Sequence, residues 1–199
     1  QKYEHALAIT IVLRDMLKIV QTAKECKKLL QQGSVLINGK ARKDHRFPVG
    51  IFDMISLPLV NEHYMMLYDK TGRITAQKIS KEAAAAKAVK IIGKTMLPGK
   101  KMQLNLFDGR NILVSKDEYL VGDTLMMTAA NEVKKHLKFE RGATIYLIGG
   151  KHKGKRGALE EIKPMEGIQP DRITFKTKEK TIETLQDYAY VIEKGFAET

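Results

Sequence analysis

The 199-residue sequence contains no tryptophan, one cysteine and five prolines. The lone Cys26 cannot close an internal disulfide, and with a single thiol a cysteine-rich zinc site is excluded. A reducing compartment such as the cytoplasm is therefore expected. No apolar run approaches the ~18 residues that a spanning helix needs. The longest, starting at Ala6, is broken by Arg14 and Asp15. Acidic residues are also in deficit, 23 against 35 Lys and Arg, which leaves a net charge of +12. So much unbalanced positive charge points to a polyanion, because neutralising phosphates releases condensed counterions. No basic amphipathic stretch with Trp or Phe marks a membrane surface.

Catalytic constellations are absent too. His5, His45, His63, His136 and His152 share no metal-ligand spacing, and Cys26 sits at core spacing on a helical stripe. The acids are scattered beside lysines or in turns, so no acid–base pair stands out. Gly149 to Lys155 fits the phosphate-cradling pattern G-x-x-x-x-G-K, but Arg156 follows where Ser or Thr would hold magnesium. Gly157 then comes where a helix would have to begin. No catalytic residue, metal or cofactor is expected.

What is present falls into three segments, 1–56, 57–137 and 138–199. In the first, Ile9, Val12, Leu13, Met16, Leu17 and Val20 recur at helical steps, with Arg14 and Lys18 on the other face. Thr22 and Glu25 have the spacing of a capping box, Ala23, Cys26, Leu29 and Leu30 form an apolar stripe, and Gly33 suits the helix end. Val35-Leu36-Ile37 meets Asn38-Gly39, a strong signal for a two-residue hairpin. The return run, residues 40–46, is densely basic. Residues 47–50 read as a turn and 53–57 as a strand.

The second segment reads as β, with strands near 64–68, 73–76, 101–106, 110–114 and 124–128. A turn is expected at 69–72, and one helix over 81–90, capped by Ser80 and carrying four consecutive alanines. In the third, strands are expected at 143–148, 158–162, 172–176, 181–185 and 188–192. Short strands with glycine turns fit a small barrel. Tyr64, Tyr68, Phe107 and Tyr146 read as core or half-buried strand residues, and nothing resembles an aromatic stacking platform for single strands.

Two basic constellations stand out. Lys24, Lys27 and Lys28 on the helix, with Lys40, Arg42, Lys43 and Arg46 after the hairpin, would share one side of a small rigid scaffold. Lys40 and Arg42 would share a strand face. Such a surface suits a folded RNA backbone. Lys151, His152, Lys153, Lys155 and Arg156 form the second, with no acid between Ile148 and Leu159. Its glycines at 149, 150, 154 and 157 would let the backbone approach a ligand.

The stretch from the Thr22 helix through Gly33-Ser34-Val35-Leu36-Ile37-Asn38-Gly39-Lys40-Ala41-Arg42 to Asp53-Met54-Ile55 resembles the RNA-binding module of small-subunit ribosomal protein four. Gly142 to Gly157 resembles a KOW motif. Between them, Phe47-Pro48-Val49-Gly50-Ile51-Phe52-Asp53-Met54-Ile55-Ser56 and Leu104-Asn105-Leu106-Phe107-Asp108-Gly109-Arg110-Asn111 resemble the archaeal and eukaryotic "e" type of that family, which has this order of modules. The resemblance implies an α+β chain: a helix–helix–β RNA-binding module over 1–56, a central β-rich domain with one helix over 57–137, and an SH3-like barrel over 138–199. It implies a non-catalytic constituent of the small ribosomal subunit that binds rRNA beside neighbouring ribosomal proteins in the cytoplasm. No small-molecule substrate or membrane is implied, and a monomer is expected off the ribosome. The candidate RNA-binding residues are Arg14, Lys18, Lys24, Lys27, Lys28, Asn38, Lys40, Arg42, Lys43, Arg46, Lys151, His152, Lys153, Lys155 and Arg156. An RNA-modification enzyme, or a transcription or translation factor that uses the KOW motif as a protein-binding surface, is the alternative.

Overall fold

A hydroxyl at an N-cap and a carboxylate three residues later satisfy two of the amides that a helix start leaves open. In the computed structural model, which describes residues 6–69, 71–99, 101–115, 118–165, 170–177 and 180–193, Thr22 and Glu25 do so. The Glu25 amide donates to Thr22 Oγ1 at 3.2 Å, and the Thr22 and Gln21 amides donate to Glu25 Oε2 at 3.4 and 2.8 Å. His5 and Lys70 of the expected 69–72 turn lie outside the described residues.

The described residues fall into two compact units. The first draws on the described residues within 1–69, 73–87 and 128–132. Its elements are β1 (Ala6–Ala8), α1 (Ile9–Ile11), α2 (Ala23–Gln31), β2 (Leu36–Ile37), β3 (Lys40–Ala41), β4 (Pro48–Gly50), β5 (Met54–Leu57), β6 (Glu62–Tyr68) and β7 (Ile74–Ile79). The antiparallel sheet runs β3-β2-β5-β6-β7, so the sheet that starts at the hairpin continues well past residue 56. Ile9, Val12, Leu13, Cys26, Leu30, Val35, Ile37 and Ile55 form its core.

Two local expectations change here. The helical periodicity over 9–20 becomes one turn of α1 and a π-helical turn, Val12–Met16. The Leu17 amide reaches back to the Val12 carbonyl, and Lys18 then takes a left-handed φ of 53° that ends the helix. Residues 47–50 hold β4 rather than a simple turn, because buried Val49 pairs with Leu7 of β1.

The second unit draws on the described residues within 70–72, 88–127 and 133–199. Its strands are β8 (Lys87–Leu97, from Ala88 onward), β9 (Lys101–Leu106), β10 (Asn111–Val114), β11 (Thr124–Met127), β12 (Val133–Leu137), β13 (Thr144–Leu147), β14 (Arg156–Lys163), β15 (Arg172–Lys176), β16 (Thr181–Leu185) and β17 (Ala189–Val191). One five-stranded sheet runs β10-β9-β8-β11-β12 and the other β16-β15-β14-β13-β17. Each has its own core: Val89, Ile91, Leu104, Leu106, Leu125 and Met127 in one, and Ile145, Leu147, Leu159, Ile173, Phe175 and Ile182 in the other.

The helix expected over 81–90 does not form. Ser80 Oγ accepts from the Ala83 amide at 3.2 Å, but only a single 3₁₀ turn forms, Ala83–Ala85, and Ala86 at φ −143° swings the chain into β8. Alanine's helix preference amounts to a few tenths of a kcal/mol per residue, and an isolated ten-residue helix is marginal. Burying Ala88, Val89 and Ile91 between β9 and β11 outweighs it. The described residues are mostly β, with two short helices.

Candidate nucleic-acid interface

Helix α2 turns Cys26 and Leu30 into the core and leaves Lys24, Lys27 and Lys28 exposed. The β2–β3 hairpin closes as the Asn38-Gly39 pair dictates: φ is 51° at Asn38 and 76° at Gly39, both in the region a type I′ turn requires. Lys40 follows on β3, with Lys43 and Arg46 exposed in the loop beyond. None of these six cations has a carboxylate within 4 Å among the described residues. They remain available as charge.

The other residues of this cluster are placed differently. Arg42 lies outside β3, so it does not share a strand face with Lys40; the strand stops at Ala41. Its guanidinium instead stacks over the Phe47 ring at 4.6 Å, with Nε shut away from solvent. A stacked guanidinium keeps a fixed plane and presents its outer N–H groups in a fixed direction. Arg14 is already paired side by side with Asp15, at 2.7 and 2.9 Å. Lys18 is exposed at the left-handed end of the helical turn. Asn38 spends its amide within the fold: Nδ2 donates to Asp53 Oδ1 at 2.8 Å, and Oδ1 accepts from the Met54 amide at 3.0 Å.

In the second unit, residues 149–155 form a turn that joins β13 directly to β14. No helix begins there, so the G-x-x-x-x-G-K pattern lacks the helix N-terminus that holds phosphate. Gly150 and Gly154 supply φ of 71° and 82°. Lys151 is exposed, while His152, Lys153, Lys155 and Arg156 are half-buried. Arg156 lies over the Tyr146 ring at 5.6 Å. Burial, with Lys155, Lys180 and Lys151 nearby, holds the His152 imidazole below its ordinary pKa.

Two of the glycines serve the fold rather than a ligand. A Cβ on Gly149 would come within 2.3 Å of the Tyr188 ring, and one on Gly157 within 2.3 Å of the Lys176 carbonyl oxygen. Their missing side chains make room for protein atoms. Cys26 is buried, as its spacing predicts. Tyr68 and Tyr146 are buried, and Tyr64 and Phe107 half-buried.

Sequence reasoning missed one cation of this second surface. Lys180 closes the β15–β16 hairpin, where its amide donates to Thr177 Oγ1 at 3.1 Å, and it acts on His152 across the fold. Nothing in the local pattern near 180 signals that proximity, which arises only from strand pairing. Among the described residues no group of three or more His, Cys, Asp and Glu is placed to hold a metal, and no helix is long and apolar enough to cross a membrane.

The profile of the S4 domain matches residues 11–55, and that of ribosomal family S4e matches residues 60–133. Small ribosomal subunit protein eS4 of Archaeoglobus fulgidus is 37% identical over 191 residues, covering 96% of this chain and 80% of that protein. The protein of the same name from Methanocaldococcus jannaschii is 38% identical over 197 residues, covering 94% of this chain and 80% of its own length. The crystal structure of 30S ribosomal protein S4e from Thermoplasma acidophilum superposes with a TM-score of 0.80 at 26% identity, covering 94% of this chain and 95% of that one.

Proposed function

The chain belongs to the ribosomal S4e family, and from that premise we propose that it is a constituent of the small ribosomal subunit that binds rRNA through two basic surfaces. It is a structural, non-enzymatic protein of the cytoplasmic ribosome. The observation that carries the RNA reading is the set of unpaired cations on α2 and around the Asn38-Gly39 hairpin. Lys24, Lys27 and Lys28 project from the capped helix α2, Lys40 from β3, and Lys43 and Arg46 from the loop that follows it. Cations carried on a preformed backbone require no further ordering of the main chain when they meet phosphates, and each displaces counterions.

The turn over residues 151–156, extended by Lys180, is the second contact surface in this proposal. The five-stranded sheet beneath it is taken as an SH3-like barrel, because its last strand, β17, returns to pair with its first, β13. The division at 1–56, 57–137 and 138–199 is kept as the modular reading, with rRNA and neighbouring ribosomal proteins as partners and a monomer off the ribosome.

Sedimentation of a cell extract tests the proposal: the protein should travel with small subunits. Binding to small-subunit rRNA in vitro should weaken steeply with salt, by about 0.7–0.9 log units of affinity per log unit of salt for each phosphate contact. Recovery entirely as free protein at low salt would overturn it.

A further inference from the structure

We propose that Lys87, a residue that cannot itself reach RNA, is a positioning residue that sets the binding orientation of the basic hairpin through Asp53 and Asn38. The inference rests on the reading of that hairpin as an rRNA contact.

The Lys87 and Asp53 side chains are 6% and 5% exposed, and Lys87 Nζ donates to Asp53 Oδ1 at 2.5 Å. The same carboxylate accepts from Asn38 Nδ2 at 2.8 Å through Oδ1 and from the Gly50 amide at 2.7 Å through Oδ2. Asn38 returns a bond to the β5 backbone, accepting from the Met54 amide at 3.0 Å. Both ends of the Asn38 amide are thereby engaged. On the other side of the turn, Gly39 abuts Ala129, where an added Cβ would lie 2.7 Å from the Ala129 Cβ. The hairpin tip is held from two sides.

The hairpin has little of its own to hold it. Its strands are two residues each, β3 lies at the sheet edge, and an isolated hairpin of that size is not stable in water. Lys40 begins β3 directly after the tip, so a small rotation at Asn38 redirects it, and Arg42 two residues on would have to hold its stack on Phe47 from a displaced backbone. A buried ion pair is also a poor device for stability alone, since apolar residues of similar volume often serve as well or better. What charge and hydrogen bonding add in such a place is a single orientation.

The test measures the affinity of the full chain for transcribed small-subunit rRNA, using Lys87→Met, Asn38→Gly and the double change Lys40→Ala with Arg42→Ala. Asn38→Gly keeps the turn's backbone freedom and leaves the ion pair in place. Each single variant should weaken binding about five- to tenfold. Neither should weaken it further in the background lacking Lys40 and Arg42 side chains, because the effect passes through those side chains. Fully additive losses would overturn the proposal. So would Asn38→Gly weakening binding while folded Lys87→Met binds like the wild type, since Asn38 would then be a direct contact. Where Lys87→Met is unfolded by circular dichroism, amide exchange at Lys40 and Ala41 in Asn38→Gly decides. Weaker binding with faster exchange supports the proposal; unchanged exchange or unchanged binding overturns it. Wild-type affinity in the Lys40/Arg42 double variant is a different failure, which removes the hairpin from the RNA interface itself.

Discussion

Gly149 lies against the face of Tyr188 so closely that a single methyl group on its α-carbon would overlap the ring at 2.3 Å. Gly149 is not among the residues with positive φ, so its backbone alone does not demand glycine. The demand is steric. Gly149→Ala should therefore destabilise the protein by about 2–3 kcal/mol through overpacking. In a Tyr188→Ala background, where the space is open, the same change should cost little more. Chemical denaturation of the four proteins of that cycle checks the coupling, and strict additivity would refute the steric account.

The exposed cations should be separable from the core. Lys40→Ala with Lys43→Ala should lower RNA affinity and reduce the salt slope by about 1.4–1.8, while the melting temperature stays nearly constant. Leu30→Ala, at a fully buried position, should cost about 2–5 kcal/mol. Arg42→Lys keeps the charge but loses the planar stack on Phe47, so it should bind RNA more weakly than the wild type. Salt titrations of binding and thermal melts together decide.

Lys90 gives a pH signature of stability. Its ammonium group is buried, donates to the Gln186 and Asp187 carbonyls at 3.0 and 3.1 Å, and has its pKa pushed down by burial to about 8 from an ordinary 10.5. Between those values the unfolded chain binds the proton more tightly than the folded one, so stability rises with pH across that window. The penalty is in force below pH 8 and is relieved as pH climbs toward 10.5, by on the order of 3 kcal/mol. Denaturation at pH 7.5 and pH 10 should show the wild type gaining on Lys90→Met by about 2 kcal/mol, since pH 10 still lies inside the window. A constant difference would contradict the burial effect.

His152 gives a pH signature of binding. Desolvation and three nearby lysines hold its imidazole below its ordinary pKa in the free protein, which favours the neutral ring. A phosphate brought to the same turn favours the protonated ring, so binding takes up a proton. RNA affinity should rise as pH falls from 7 through 5.5, and His152→Asn should flatten that component. Identical pH profiles for the two proteins would remove His152 from the interface.

The local devices were legible because they depend on neighbouring residues. Thr22 and Glu25 cap α2, Asn38-Gly39 turns the hairpin with both residues at positive φ, and the alternation over 101–106 becomes β9. The four alanines misled because short-range propensity is weak beside the burial of Val89 and Ile91 in a sheet whose partners lie 15 or more residues away. In sequence Gly149 and Gly157 look like openings for a ligand, since nothing local signals that Tyr188 and the Lys176 carbonyl fill those spaces. Lys180 escaped notice for the same reason.

The amino-acid order alone determined the surplus of positive charge, the capped helix and the tight basic hairpin. Each follows from composition or from chemistry within a few bonds along the chain. Only the tertiary structure decided which cations stay unpaired, which glycines face protein atoms, and that Lys87 and Asp53 meet beneath the hairpin. Those outcomes depend on side chains brought together from distant positions, where desolvation and strand register rather than local preference set the partners.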